Sequence, residues 1–129
     1  DLLSDLDKEV VDRIHFTGFV DDDLLPYVYR NAQVFVFPSV YEGFGVPPIE
    51  AMSMGIPVIS SDAASLPEVL EKAAFYFESD NREDLKKQLV NVINLSSEQH
   101  VAVEKAGMEQ ATKFSWKREA AKLEKNLFV

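Results

Sequence analysis

Residues 32–52 read Ala-Gln-Val-Phe-Val-Phe-Pro-Ser-Val-Tyr-Glu-Gly-Phe-Gly-Val-Pro-Pro-Ile-Glu-Ala-Met, and this stretch sets the fold. Ala32 to Phe37 is β-branched and aromatic and stops at Pro38, which predicts a strand. Gly43 and Gly45 follow, residues that let a backbone approach a ligand or take positive φ. Pro47 and Pro48 suit the first turn of a helix, where the leading amides have no partner inside the helix. Strand, glycine turn and helix in succession predict an α/β unit whose turn can cradle an anion. Glu42 and Glu50, eight positions apart, bracket that turn.

The pattern repeats on either side. Arg13 to Thr17, Pro57 to Ser61 and Ala73 to Phe77 are further short apolar runs that read as strands. Helix starts separate them. Asp21-Asp-Asp23 can cap a helix carrying Leu24, Leu25, Val28 and Ala32 on one face, with Pro26 in its first turn. Ser65-Leu-Pro-Glu68 and Ser96-Ser-Glu-Gln99 are capping-box patterns, and Asn81 to Asp84 is an acidic start. Leu85, Leu89, Val92 and Ile93 form one apolar stripe, and Trp116, Ala120, Leu123 and Leu127 form another behind a cap at Ser115. Strands alternating with helices imply a Rossmann-like parallel sheet with helices on both faces, and strands apolar nearly throughout fit burial on both sides. In such a sheet ligands collect beyond the carboxyl ends of the strands, where the Glu42 to Glu50 turn lies.

Composition narrows the function. The 129 residues fit one domain, and 47% hydrophobic content can build a core. With no cysteine there is neither a disulfide nor a thiolate metal site, and the cytosol is the default compartment. A net charge of -9 argues against nucleic-acid binding and leaves a small anionic ligand to local donors. No apolar run approaches the ~20 residues of a membrane span, and no signal-peptide pattern appears. The chain starts at Asp1 rather than methionine, so it is expected to be processed or cut from something longer.

Each candidate residue has a plain structural alternative. Glu50, placed in the first turn of a helix, could be there for the dipole alone, or its two oxygens could accept from two adjacent ribose hydroxyls. Glu42 could be a solvated turn residue, or could stand against a sugar and offset positive charge at an anomeric carbon. Phe44 reads as a wedge that holds the loop. His15, on a strand read as buried, and His100, on a polar helix, read as structural, and two such separated histidines build no metal cluster. No Gly-Lys-Ser or Gly-Lys-Thr phosphate loop and no dinucleotide fingerprint occurs. Ser39 after Pro38 has no nucleophile-elbow context.

The runs Phe16-Thr-Gly-Phe-Val20, Ala32 to Ser39, Glu42 to Met52, Gly55-Ile-Pro-Val-Ile-Ser60, Ser65-Leu-Pro-Glu68 and Phe114-Ser-Trp116, in this order, resemble the C-terminal, donor-binding half of retaining glycosyltransferases of the two-domain GT-B fold, often called family 4 or glycosyl transferases group 1. The likeness covers nearly the whole chain, and the two glutamates match that family's E-x7-E motif. The resemblance implies that Glu42 contacts the transferred sugar and serves catalysis, and that Glu50 binds the ribose of a UDP-, GDP- or ADP-sugar. It also implies that the backbone of Gly43, Phe44, Gly45 and Val46 touches sugar and diphosphate, and that the loop from Phe19 to Asp22, with Val20 and Asp22, lies against the base. No metal or other cofactor is expected.

The family's Arg and Lys for the diphosphate, two further strands and the acceptor-binding N-terminal domain have no match here. A partial domain over residues 1–129 is therefore expected. It should bind donor weakly and be inactive alone, with an incomplete sheet in which Arg13 to Thr17 lacks its neighbour. The resemblance further implies transfer of a hexose to a glycan or lipid acceptor in polysaccharide assembly. The location would be the cytoplasm, at the inner membrane face through the missing half, with no membrane contact from this segment. A non-catalytic domain of the same fold, kept for regulation or assembly, is the alternative, and the retained pair of glutamates argues against it.

Overall fold

In the computed structural model, residue 3 and residues 5–115 are described. The chain runs α1 Lys8–Val11, α2 Leu25–Arg30, β1 Phe35–Phe37, α3 Val46–Ser53, β2 Val58–Ser61, α4 Leu66–Leu70, a 3-10 turn Glu71–Ala73, β3 Phe75–Phe77, α5 Arg82–Ile93 and α6 Ser97–Thr112. The three strands form one parallel sheet in the order β1-β2-β3. The register pairs Phe37 with Ser60 and Ser61 with Phe77, so the carboxyl ends of neighbouring strands finish side by side.

Alternation along each strand builds two cores. Phe35, Phe37, Val58 and Tyr76 face Tyr29, Ala51, Met52, Leu66, Leu70 and Ala111, while Val34, Val36, Ile59, Phe75 and Phe77 face Leu85, Leu89 and Val92. The expected two-sided α/β sheet is therefore present. On the first face α6 packs closely along α3, and a side chain at Gly107 would meet Met52 Cγ at 3.4 Å. Gln110, 5% exposed on α6, donates from Nε2 to the Val69 carbonyl oxygen at 2.8 Å, which satisfies a buried amide and ties α6 to α4. Two of the expected helix caps form. Asn81 accepts from the Asp84 amide, and Ser96 and Gln99 complete a reciprocal capping box.

Several expectations need correction. Arg13 to Thr17 is not a strand, because among the described residues no neighbour offers it a ladder and an unpaired strand has nowhere to satisfy its backbone except water. His15 is accordingly exposed rather than buried, and Phe16 and Phe19 stand 76% and 87% open. On α2 the inward face is Leu25 and Tyr29, joined by Ala32 just beyond the helix, whereas Leu24 and Val28 are exposed. The helix begins at Leu25 with no side-chain cap, and the Asp21 carbonyl serves the amides of Leu24 and Leu25 instead. Ile93, the last residue of α5, turns to solvent beyond the edge of the stripe that Val92 completes. The capping box at Ser65 does not form, because its backbone is already helical and its hydroxyl is used elsewhere. The helix expected behind Ser115, with Trp116, Ala120, Leu123 and Leu127, lies outside the described residues.

Candidate functional site

At the carboxyl end of the sheet, residues 38–45 leave β1 and residues 62–65 leave β2, and parallel pairing sets these two connections next to each other. Hydroxyls stitch them together. Ser61, buried at the end of β2, donates to the Ser39 carbonyl oxygen. Ser65 donates to the Glu42 carbonyl oxygen at 2.9 Å, and Ser39 Oγ donates to Glu42 Oε1 at 2.9 Å. Both the backbone and the carboxylate of Glu42 are thus held, and its side chain is half-buried.

Glu50 is fixed from another direction. The helix starts at Val46, so Glu50 falls in the second turn and not the first, and the dipole explanation loses its geometry. Pro47 and Pro48 do occupy the first turn, as expected. Glu50 Oε2 accepts from Tyr29 Oη at 3.1 Å. Burial of the Tyr29 ring, and then the charge of Glu50 beside it, pushes the phenol up to about 12. Among the described residues neither glutamate makes an ion pair; each carboxylate is held by one neutral hydroxyl.

The two glycines differ in role. Gly45 caps α3 with φ +86°, and a Cβ there would come within 2.6 Å of Leu66 Cδ2, so backbone and packing both require glycine. Gly43 has neither constraint, and a Cβ at that position would meet open space. Phe44 packs edge-on against Phe114, with ring centroids 5.1 Å apart, which fits its reading as a wedge. Val46 opens α3 and is 49% exposed.

The turn therefore brings Glu42, Gly43, Phe44, Gly45, Val46 and Glu50 to one end of the sheet. Val20 is half-buried and Asp22 lies exposed in the turn before α2, with no hydrogen bond to the glutamate turn among the described residues. A concavity of about 610 Å³ lies elsewhere, lined by Glu71, Lys72, Ala73, Ala106, Glu109, Gln110 and Lys113. Sequence reasoning missed Tyr29, Ser65 and the role of Ser39. The signal for Tyr29 was its spacing, four residues after Leu25 and three before Ala32, which puts it on the helix face that turns inward.

A parallel sheet with helices on both faces, and a glycine turn carrying two carboxylates after its first strand, defines an α/β protein of Rossmann-like architecture. Residues 3–110 match the family described as glycosyl transferases group 1, and the chain belongs to that family. It is 40% identical over 103 residues to O-antigen chain mannosyltransferase B of Escherichia coli, a match covering 80% of this chain and 27% of that protein. Sulfoquinovosyl transferase of Arabidopsis thaliana is 31% identical over 113 residues, 84% of this chain and 22% of its own length. Among solved structures, sucrose-phosphate synthase from Thermosynechococcus elongatus superposes with TM-score 0.81 at 28% identity, over 93% of this chain and 31% of that one. The C-terminal domain of a glycosyl transferase group 1 family protein from Francisella tularensis superposes with TM-score 0.66 at 28% identity, over 76% of this chain and 51% of that one. The expected family and fold class are borne out, and the chain spans about a quarter of the length of the mannosyltransferase it matches.

Proposed function

We propose that this chain is the donor-binding part of a retaining glycosyltransferase that transfers a hexose from a nucleotide-diphosphate sugar to a glycan or lipid acceptor. The observation that carries the reading is that Glu42 and Glu50 bracket the turn at the carboxyl end of β1, both half-buried, Glu42 held by Ser39 of the same connection and Glu50 by Tyr29 on α2. Glu50 accepts from the ribose diol, a task for a charged carboxylate with free lone pairs. Glu42 faces the transferred sugar, where its charge is most useful as positive charge develops at the anomeric carbon. Pro47 and Pro48 have no amide to donate, so the backbone of the turn from Gly43 to Val46, beside the open space at Gly43, faces the diphosphate.

Val20 and Asp22 border the base in this reading. The cations that clamp the diphosphate and the acceptor site belong to other parts of the protein, so the isolated chain transfers no sugar. Transfer requires no metal or other cofactor, and it takes place in the cytoplasm at the inner membrane face. The mannosyltransferase relative supports a hexose in polysaccharide assembly.

The test is transfer by the full-length protein with Glu42→Gln and Glu50→Gln. The expected result is a loss of about 100-fold or more for Glu42→Gln, as for a removed electrostatic stabiliser. Glu50→Gln should raise KM for the donor most. Unchanged transfer in both variants would overturn the reading.

A further inference from the structure

We propose that Tyr29 is a positioning residue for donor recognition: its hydroxyl fixes the carboxylate of Glu50 so that the remaining lone pairs meet the ribose hydroxyls of a nucleotide. The inference rests on the donor-binding reading of Glu50 given above and concerns a residue on a different element. Tyr29 sits 21 positions upstream, on α2, and reaches Glu50 Oε2 at 3.1 Å.

A glutamate on a helix surface has three side-chain torsions, the last of them broad, so its carboxylate samples many orientations unless something holds it. Among the described residues Tyr29 is the one donor to that carboxylate. The ring that carries the hydroxyl is itself fixed. Tyr29 is 7% exposed and stands edge-on to Phe35 at 5.5 Å, and Phe35 stacks on Phe37 at 6.1 Å. Packing in the β1 core thus sets the position of the hydroxyl, and the hydroxyl sets the carboxylate, which is the arrangement a preorganised site needs.

The kind of donor matters as much as its position. A lysine or arginine would hold Glu50 equally well but would compensate its charge. A phenol occupies one lone pair without bringing an opposing charge, and the remaining lone pairs can accept from two further hydroxyls. The raised phenol of Tyr29 keeps it a donor throughout the physiological range.

The experiment uses the full-length protein and calorimetric titration with UDP, GDP and ADP, followed by the 2′-deoxy form of whichever binds tightest. The readout is the ratio of the two dissociation constants, because a residue that supports only the fold weakens both ligands alike. Tyr29→Phe, which keeps the ring, is expected to lower the ribose preference about fivefold to tenfold, the scale of a supporting hydrogen bond to a binding group. Glu50→Gln should erase most of the preference, and the double variant should be no worse than Glu50→Gln alone. Phe35→Leu, which keeps the hydroxyl but loosens its ring, should erode the preference in part, and it decides the matter if Tyr29→Phe does not fold. An unchanged ratio in Tyr29→Phe, or in Phe35→Leu where that variant decides, overturns the proposal while Glu50→Gln still erodes it. Should Glu50→Gln itself leave the ratio intact, the donor-binding reading fails instead.

Discussion

Ser65 Oγ donates to the carbonyl oxygen of Glu42 at 2.9 Å, so the connection after β2 holds the connection after β1 from across the end of the sheet. The same serine looks in the sequence like the first member of a capping box, and the competing use wins because its backbone is already in the helical region. Ser65→Ala removes the hydroxyl and leaves a half-buried carbonyl short of a partner. The expected loss is about 1 kcal/mol of stability, read as a lower midpoint in urea titration with an unchanged slope. In the full-length protein the same change should lower turnover more than donor affinity, since it loosens Glu42 and not Glu50.

Gly43 and Gly45 should part ways on substitution. Gly45→Ala forces a Cβ into Leu66 and places an alanine at φ +86°, so roughly 2–4 kcal/mol is expected to be lost, the strain adding to the overpacking. Gly43→Ala meets open space and should leave thermal stability within about 0.5 kcal/mol. If a diphosphate sugar approaches there, the added methyl will weaken nucleotide binding all the same. Stability and binding measured on both variants separate the two roles.

Two of the four tyrosines carry an alkaline signature. The phenols of Tyr29 and Tyr76 are both pushed up to about 12, by burial first and then by Glu50 and Glu71 respectively. A group that holds its proton more tightly when folded stabilises the fold fully below its unfolded value near 10. That contribution disappears as pH climbs from about 10 to about 12. The chain should therefore lose stability across that window, and spectrophotometric titration should show phenolate appearing late. Tyr29→Phe and Tyr76→Phe together should flatten the loss. A steep loss persisting in the double variant would refute the assignment.

Protection from hydrogen exchange should divide the chain sharply. The amides of Val58–Ser61 lie in a fully buried central strand, and they should open only with global unfolding. Residues 15–20, with Phe16 and Phe19 turned to solvent and no ladder, should exchange at nearly the intrinsic rate. Protection across 15–20 in the 129-residue chain would mean that the segment finds a partner after all.

Period and punctuation in the sequence were enough for the layered architecture. Val34, Phe35, Val36 and Phe37 alternate toward two different cores, and burial on both sides is what an uninterrupted apolar run requires. Pro47 and Pro48 start α3, Asn81 and Ser96 cap the later helices, and the glutamate pair marks the turn. All of these are local, written in residues within a turn or two of one another.

Only the tertiary structure could decide the rest. Arg13 to Thr17 has the composition of a strand, but a strand exists only by pairing, and pairing is a property of the neighbour. Tyr29 and Glu50 lie 21 residues apart, and Ser65 and Glu42 lie 23 apart. No periodicity links such pairs: Tyr29 and Glu50 meet because α2 and α3 pack into the same core, and Ser65 and Glu42 meet because parallel strands bring successive connections to the same end of the sheet. The sequence by itself determined that two carboxylates stand on a turn after a strand. The packing of Tyr29 against Phe35 decided how the Glu50 carboxylate is held, and the side-by-side ends of β1 and β2 decided how the backbone of Glu42 is held.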